Sequence, residues 1–204
     1  MLAQAGESCV ARVMPGAEDF GRRSRKVVAT PPAARNTASW PIEYEELWRS
    51  PDDLREWARR QRGRLPVPGR GPASDRLAEV QALRDDALAV LRAAAGGERL
   101  PRAAAARLNA AARERPVVGQ LGAHASERHA ALARFAAPVS PLDELVARCV
   151  AATIEIAGHP RLTLCDSPGC GQLFLREREN KRWCGAACGT RARVARHAAR
   201  GRAG

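Results

Sequence analysis

Four of the six cysteines fall within 24 residues: Cys165 and Cys170 with four residues between them, then, after thirteen more, Cys184 and Cys188 with three between them. Two thiol pairs joined by a short span form the layout of a structural Zn²⁺ site. Four thiolates complete a tetrahedral set and leave no position for water, so such a metal holds structure rather than performing chemistry. Two disulfides are the other reading of the same pairs, but disulfide frameworks of this kind belong to small secreted chains. His159 and His197 are alternative ligands, and each also reads as a surface imidazole. Cys149 falls in the apolar stripe of a predicted helix and reads as a plain buried thiol.

The second pair runs straight into arginines: Arg191, Arg193, Arg196, Arg200 and Arg202. Arg193, Arg196 and Arg200 recur at three and four and so share one helical face, with Lys181 and Arg182 just before the second pair. From Arg161 to Gly204 there are ten Lys and Arg against three Asp and Glu, which places seven of the chain's twelve net positive charges in this last part. A basic surface of this kind neutralises backbone phosphates, and arginine is also the commonest reader of guanine. Polyanions are the expected partners, duplex DNA first. Single-strand readout of RNA is less favoured, because Phe174 and Trp183 are the finger's only aromatic residues for stacking bases.

The elements that must position these groups are mainly helical. Ser50-Pro51-Asp52-Asp53 has a cap, an N1 proline and first-turn acids, which predicts a helix from Pro51 to Gln61 that stops at Gly63. Trp40, Trp48 and Trp57 are expected to anchor core. Ser74 and Asp75 start a second helix carrying Leu77, Val80, Leu83, Leu88 and Leu91 until Gly96 and Gly97. A third begins near Pro101, and "VVGQLGA" with "RHAALARFA" predicts a small hairpin. Ser140, Pro141 and Asp143 open a fourth, whose stripe is Leu142, Leu145, Val146, Cys149, Val150, Thr153 and Ile154. Gly158 to Pro160 ends it just before the cysteines. Between the pairs, Leu173-Phe174-Leu175 reads as one strand of a hairpin turning at Glu179 and Asn180. If a helix has begun by Cys184, the second pair shares one face and nucleates the basic helix, which is marginal alone.

Residues 1–35 carry few large apolar residues and no periodic pattern, the composition of a segment that does not offset its ordering entropy. No apolar run approaches the roughly 18 to 20 residues of a spanning helix, and the N-terminus lacks the apolar core of a secretory signal. A soluble, cytoplasmic, non-membrane protein is expected, and the heavy use of Ala and Arg suggests a bacterial genome. No Ser/His/Asp or Cys/His set and no phosphate-cradling glycine loop stands out, so no enzyme is expected.

The run "CDSPGC…FLRERENKRWCGAACGTRARVARH" resembles the CGNR zinc finger, a bacterial module with two cysteines, an Arg-Trp-Cys approach and Cys-Gly-Asn-Arg leading into a basic helix. The motif falls on Cys165, Cys170, Arg182-Trp183-Cys184 and Cys188-Gly189-Thr190-Arg191, with Thr190 in place of Asn and a second pair one residue closer than the family shows. Upstream, Asn36-Thr37, Pro51, Leu54, Trp57 and Leu108-Asn109 are similar to the helical ABATE domain of stress-induced transcriptional regulators. The resemblance covers roughly residues 36 to 200 and implies a helical domain 36–158 and a zinc finger 159–204, after a segment 1–35 whose composition reads as mostly disordered. It further implies zinc on Cys165, Cys170, Cys184 and Cys188, and duplex DNA on Lys181, Arg182, Arg191, Arg193, Arg196 and Arg200. The helical domain would sense a signal or form a homodimer. The rival function is a protein-interaction module of the transcription machinery, with the finger only a staple and the basic helix docking on an acidic partner.

Overall fold

Ser50 turns an extended chain into helix. Its hydroxyl accepts the Asp53 N–H at 3.2 Å while Asp53 Oδ2 accepts the Ser50 N–H at 2.9 Å, with Pro51 at the first helical position. The resulting helix, α1, spans Pro51–Arg60. It belongs to a computed structural model that describes residues 48–61, 65–70, 76–121, 131–135 and 139–201, together with strands Arg22–Arg25 and Glu43–Glu46. Trp40, Ser74, Asp75, Arg202 and most of residues 1–35 lie outside the described residues.

The two early strands, β1 (Arg22–Arg25) and β2 (Glu43–Glu46), pair antiparallel with Arg22 opposite Glu46 and Arg25 opposite Glu43.

Helix α2 spans Leu77–Gly96, starting later than Ser74 and Asp75 predict, with Arg76 before it and no side-chain cap. Arg76 instead bridges Glu79 at 2.5 Å and Asp143 at 2.7 Å, tying the start of α2 to the start of a later helix. At its other end the Gly97 N–H reaches Ala94 O at 3.1 Å and the Glu98 N–H reaches Ala93 O at 2.8 Å, satisfying the last carbonyls. Helix α3 (Arg102–Glu114) follows, then the antiparallel hairpin β3 (Val117–Leu121) and β4 (Ala131–Phe135), with Val117 opposite Phe135. Helix α4 (Pro141–Ala157) has Ser140 accepting the Asp143 N–H at 3.1 Å.

Trp48, Leu54, Val80, Leu108, Leu145 and Val150 form the centre where these four helices meet. The Trp48 and Trp57 rings meet edge to face at 4.9 Å, and the buried Arg84 guanidinium lies 4.9 Å from the Trp48 ring while reaching Asp85 at 3.0 Å. Cys149 packs partly buried against this core, and burial pushes its thiol up to about 12. Ile154 does not join the stripe: it is 44% exposed, and Ile156 takes its place at 3%. At 100° per residue Ile156 falls among Leu142, Leu145 and Cys149, whereas Ile154 falls at the stripe's far edge.

Only residues 158–161 separate α4 from β5 (Leu162–Leu164), which pairs antiparallel with β6 (Leu173–Leu175), Leu162 opposite Leu175. Leu162, Leu173 and Leu175 pack on Leu91 of α2 and Ile156 of α4, both nearly fully buried. The C-terminal part is thus seated on the helical body. Helix α5 (Ala186–Gly201) ends the described chain. Among the described residues no helix is long and apolar enough to cross a membrane.

Candidate metal centre

The first cysteine pair sits in the turn of the β5–β6 hairpin. The Cys165 N–H closes on Gln172 O at 2.8 Å, and the Cys170 N–H on Ser167 O at 3.1 Å. Gly169 and Gly171, at φ +66° and +60°, let the backbone bend left-handed on either side of Cys170. Leu173–Leu175 is a strand as its composition predicts, but its partner is upstream rather than the return through Arg182 and Trp183. An apolar "LTL" run precedes Cys165 and supplies that partner, whereas "RERENKRW" has no apolar residue to offer before Trp183.

The second pair reaches the first along a strapped approach. The Asp166 N–H donates to Arg182 O at 3.0 Å, Arg182 Nε donates to Asp166 Oδ2 at 2.8 Å, and the Cys184 N–H points at Cys165 Sγ at 3.4 Å. Helix α5 begins at Ala186, two residues later than a start at Cys184, so Cys184 lies on the bend before it and Cys188 in its first turn. Gly189 allows a close approach there: a Cβ at this position would lie 3.2 Å from Trp183 Cε3. The indole therefore packs closely against the first turn of α5 at Gly189, the residue after Cys188.

These devices bring all four Sγ atoms within 4.8 Å of one another, with Cys170 to Cys184 at 3.8 Å, Cys184 to Cys188 at 3.5 Å and Cys188 to Cys170 at 3.6 Å. A tetrahedral site with bonds of about 2.3 Å to sulfur has edges of about 3.8 Å. The donor set and its size suit zinc, and the contracted second pair spans an ordinary edge. The neighbouring Cys170 thiol, with N–H groups of Cys184 and Ser167, holds the Cys165 thiol down at about 5, against the opposing effect of burial. The same contact and burial push Cys170 up, and burial with the adjacent Cys188 raises Cys184 to about 12. A divalent cation removes this mutual penalty. Four thiolates around it leave net negative charge at the N-terminal end of α5, where the helix dipole favours it.

Neither alternative ligand joins the cluster. His159 Nδ1 accepts the Arg161 N–H at 3.1 Å, fixing the turn into β5, and His197 is exposed on α5. The basic residues divide into two groups. Arg182 is bound to Asp166, Lys181 pairs with Glu177 at 3.1 Å and lies 5.8 Å from the Phe174 ring, and Arg191 Nη1 reaches Pro168 O at 3.5 Å. These three brace the finger, a duty that sequence reasoning does not assign them. Arg193, Arg196 and Arg200 are exposed. The Arg196 guanidinium lies over the Trp183 ring, 5.9 Å from its centroid, and its Nε donates to Ala192 O at 3.3 Å, so the charged group itself is steadied at the helix surface.

Residues 27–160, well over half of the chain, match the model of the ABATE family, described as "Putative stress-induced transcription regulator". The chain belongs to that family. Residues 161–201 match the model of the CGNR zinc finger, and no curated protein matches the chain. The boundary between the ABATE and CGNR parts coincides with the turn between α4 and β5. With the four close sulfurs, the cofactor of this ABATE protein is structural zinc, and Cys165, Cys170, Cys184 and Cys188 are the residues placed to hold it.

Proposed function

We propose that the chain is a DNA-binding transcriptional regulator, not an enzyme, in which zinc fixes α5 so that its arginines meet the phosphate backbone. The observation that carries this is the exposed part of α5. Its buried residues, Cys188, Gly189 and Ala192, all lie in its first half, and it has no acidic residue along its length. A short helix held at one end by metal needs no tertiary partner at the other. The free end presents Arg196 and Arg200 to a polyanion, while the helical domain senses a signal or dimerises.

Phosphate neutralisation releases counterions, so the logarithm of the binding constant falls with that of salt by about 0.9 per contact. For the zinc-loaded full chain on duplex DNA, Arg196→Ala with Arg200→Ala is expected to shallow that slope by about two, sequence by sequence alike. Absent or salt-insensitive duplex binding overturns the proposal. Nuclease-resistant capture of a protein partner, lost on charge reversal at Arg196, would assign the helix to protein docking instead.

A further inference from the structure

Phosphate contact leaves one face of α5 without a task. Cys188, Gly189 and Ala192 turn toward the cysteine cluster. At 100° per residue the opposite face holds Thr190, Arg193, Val194 and His197, at i, i+3, i+4 and i+7. All four are exposed. Arg196 and Arg200 border this face on one side and Arg191 on the other. Val194 is 63% exposed, the largest value among the exposed large hydrophobic residues described. A helix that only neutralised phosphates would gain nothing from an exposed valine in its middle. Arg193 is also set apart from the two arginines beside it: its Nη2 donates to Thr190 Oγ1 at 3.2 Å, which draws the guanidinium toward Val194's side of the helix.

Resting on the duplex binding proposed above, we infer that α5 enters the major groove and reads base edges with Arg193 and Val194. The B-form major groove admits an α-helix. The part of α5 beyond its anchored turns, Arg193 to Gly201, is about 13 Å long at 1.5 Å per residue, enough to cross a groove about 12 Å wide. Arg193 supplies the bidentate donor that matches guanine O6 and N7. Val194, one residue on, supplies an apolar surface for the C5-methyl of a neighbouring thymine. The ligand class is therefore duplex DNA with a guanine and a thymine within one helix footprint. Thr190 is a positioning residue that holds the Arg193 fork in place.

The test selects duplexes from a pool with a randomised centre, using the zinc-loaded full chain, and measures anisotropy on the winner. The expected winner contains guanine and thymine close together. Exchanging that thymine for deoxyuridine, which lacks only the methyl group, is expected to weaken wild type about fourfold, the worth of one buried carbon. Val194→Ala is expected not to feel the exchange, and Arg193→Ala to lose between about 5- and 150-fold of guanine discrimination. Both positions are exposed, so zinc content and helicity, measured alongside, are expected to stay at wild-type values. Salt-dependent binding with no enriched sequence overturns base reading while phosphate binding stands, and so does a deoxyuridine effect that survives in Val194→Ala. No duplex binding even at low salt overturns both.

Discussion

Zinc removal should be felt in two places, and their sizes follow from the structure. Helix α5 has 16 residues against 10, 20, 13 and 17 in the other four helices, so its melting removes about a fifth of the helical signal at 222 nm. It is expected to melt, because only its first turns are covered and an isolated helix of this length is marginal in water. The β5–β6 hairpin is held at its turn by the first cysteine pair. Without it, Leu91 and Ile156 lose cover on one side after being 2% and 3% exposed. Full burial of such a side chain is worth about 1.5–3 kcal/mol. Losing half of that at each of two positions costs the helical body about 2 kcal/mol, or roughly 4–8 °C in Tm for a chain of this size. The assay is a chelator titration followed by circular dichroism and thermal melting, with metal content by mass spectrometry. A chain shown to be free of zinc that keeps both its signal and its Tm would refute the reasoning, because the finger would then stand without metal.

Cys184→Ser is expected to remove one zinc per chain, checked by native mass spectrometry, while Cys149→Ser leaves metal content unchanged. Gly189→Ala sets the cost of crowding Trp183, about 1–3 kcal/mol, against about 1 kcal/mol of improved helix propensity, so a net loss of roughly 1 kcal/mol is expected in chemical denaturation. Burial works against the Asp143 carboxylate, yet Arg76, Ser140 and Arg115 together hold it below the usual range. Its folded pKa is depressed, so its contribution is present above about pH 4 and lost as pH falls through the folded value. Asp143→Asn is therefore expected to flatten the acid limb of stability measured by denaturant midpoints below pH 4. Ser50→Ala removes a reciprocal cap and is expected to cost about 0.5–2 kcal/mol by thermal melting.

The metal ligands are legible from spacing because thiol pairs have few stable uses and the count matches a tetrahedron. The caps at Ser50 and Ser140 are legible for a similar reason, being local bonds between residues three apart. What spacing does not reveal is non-local partnership. Leu173–Leu175 reads as a strand, but whether it pairs with residues before or after depends on which neighbour brings apolar side chains to bury on Leu91. The bridge from Arg182 to Asp166, sixteen residues away on the other side of a metal turn, is likewise invisible to spacing. The start of α2 is misread because an arginine bridging to Asp143, 67 residues on, takes over from a side-chain cap. The glycine under Trp183 carries no signal in a single sequence beyond its own smallness.

The four residues that join α4 to β5 have a thermodynamic meaning. A DNA-binding module on a flexible tether gives up rotational freedom each time it docks, and part of its contact energy offsets that loss. Here the hairpin is seated on Leu91 and Ile156, so that freedom is already lost when the chain folds. The same seating limits reach. If two chains associate through their helical bodies and bind duplex DNA as proposed, the distance between their two α5 helices is set by the body, and half-site spacing becomes a fixed property of the dimer rather than an adjustable one.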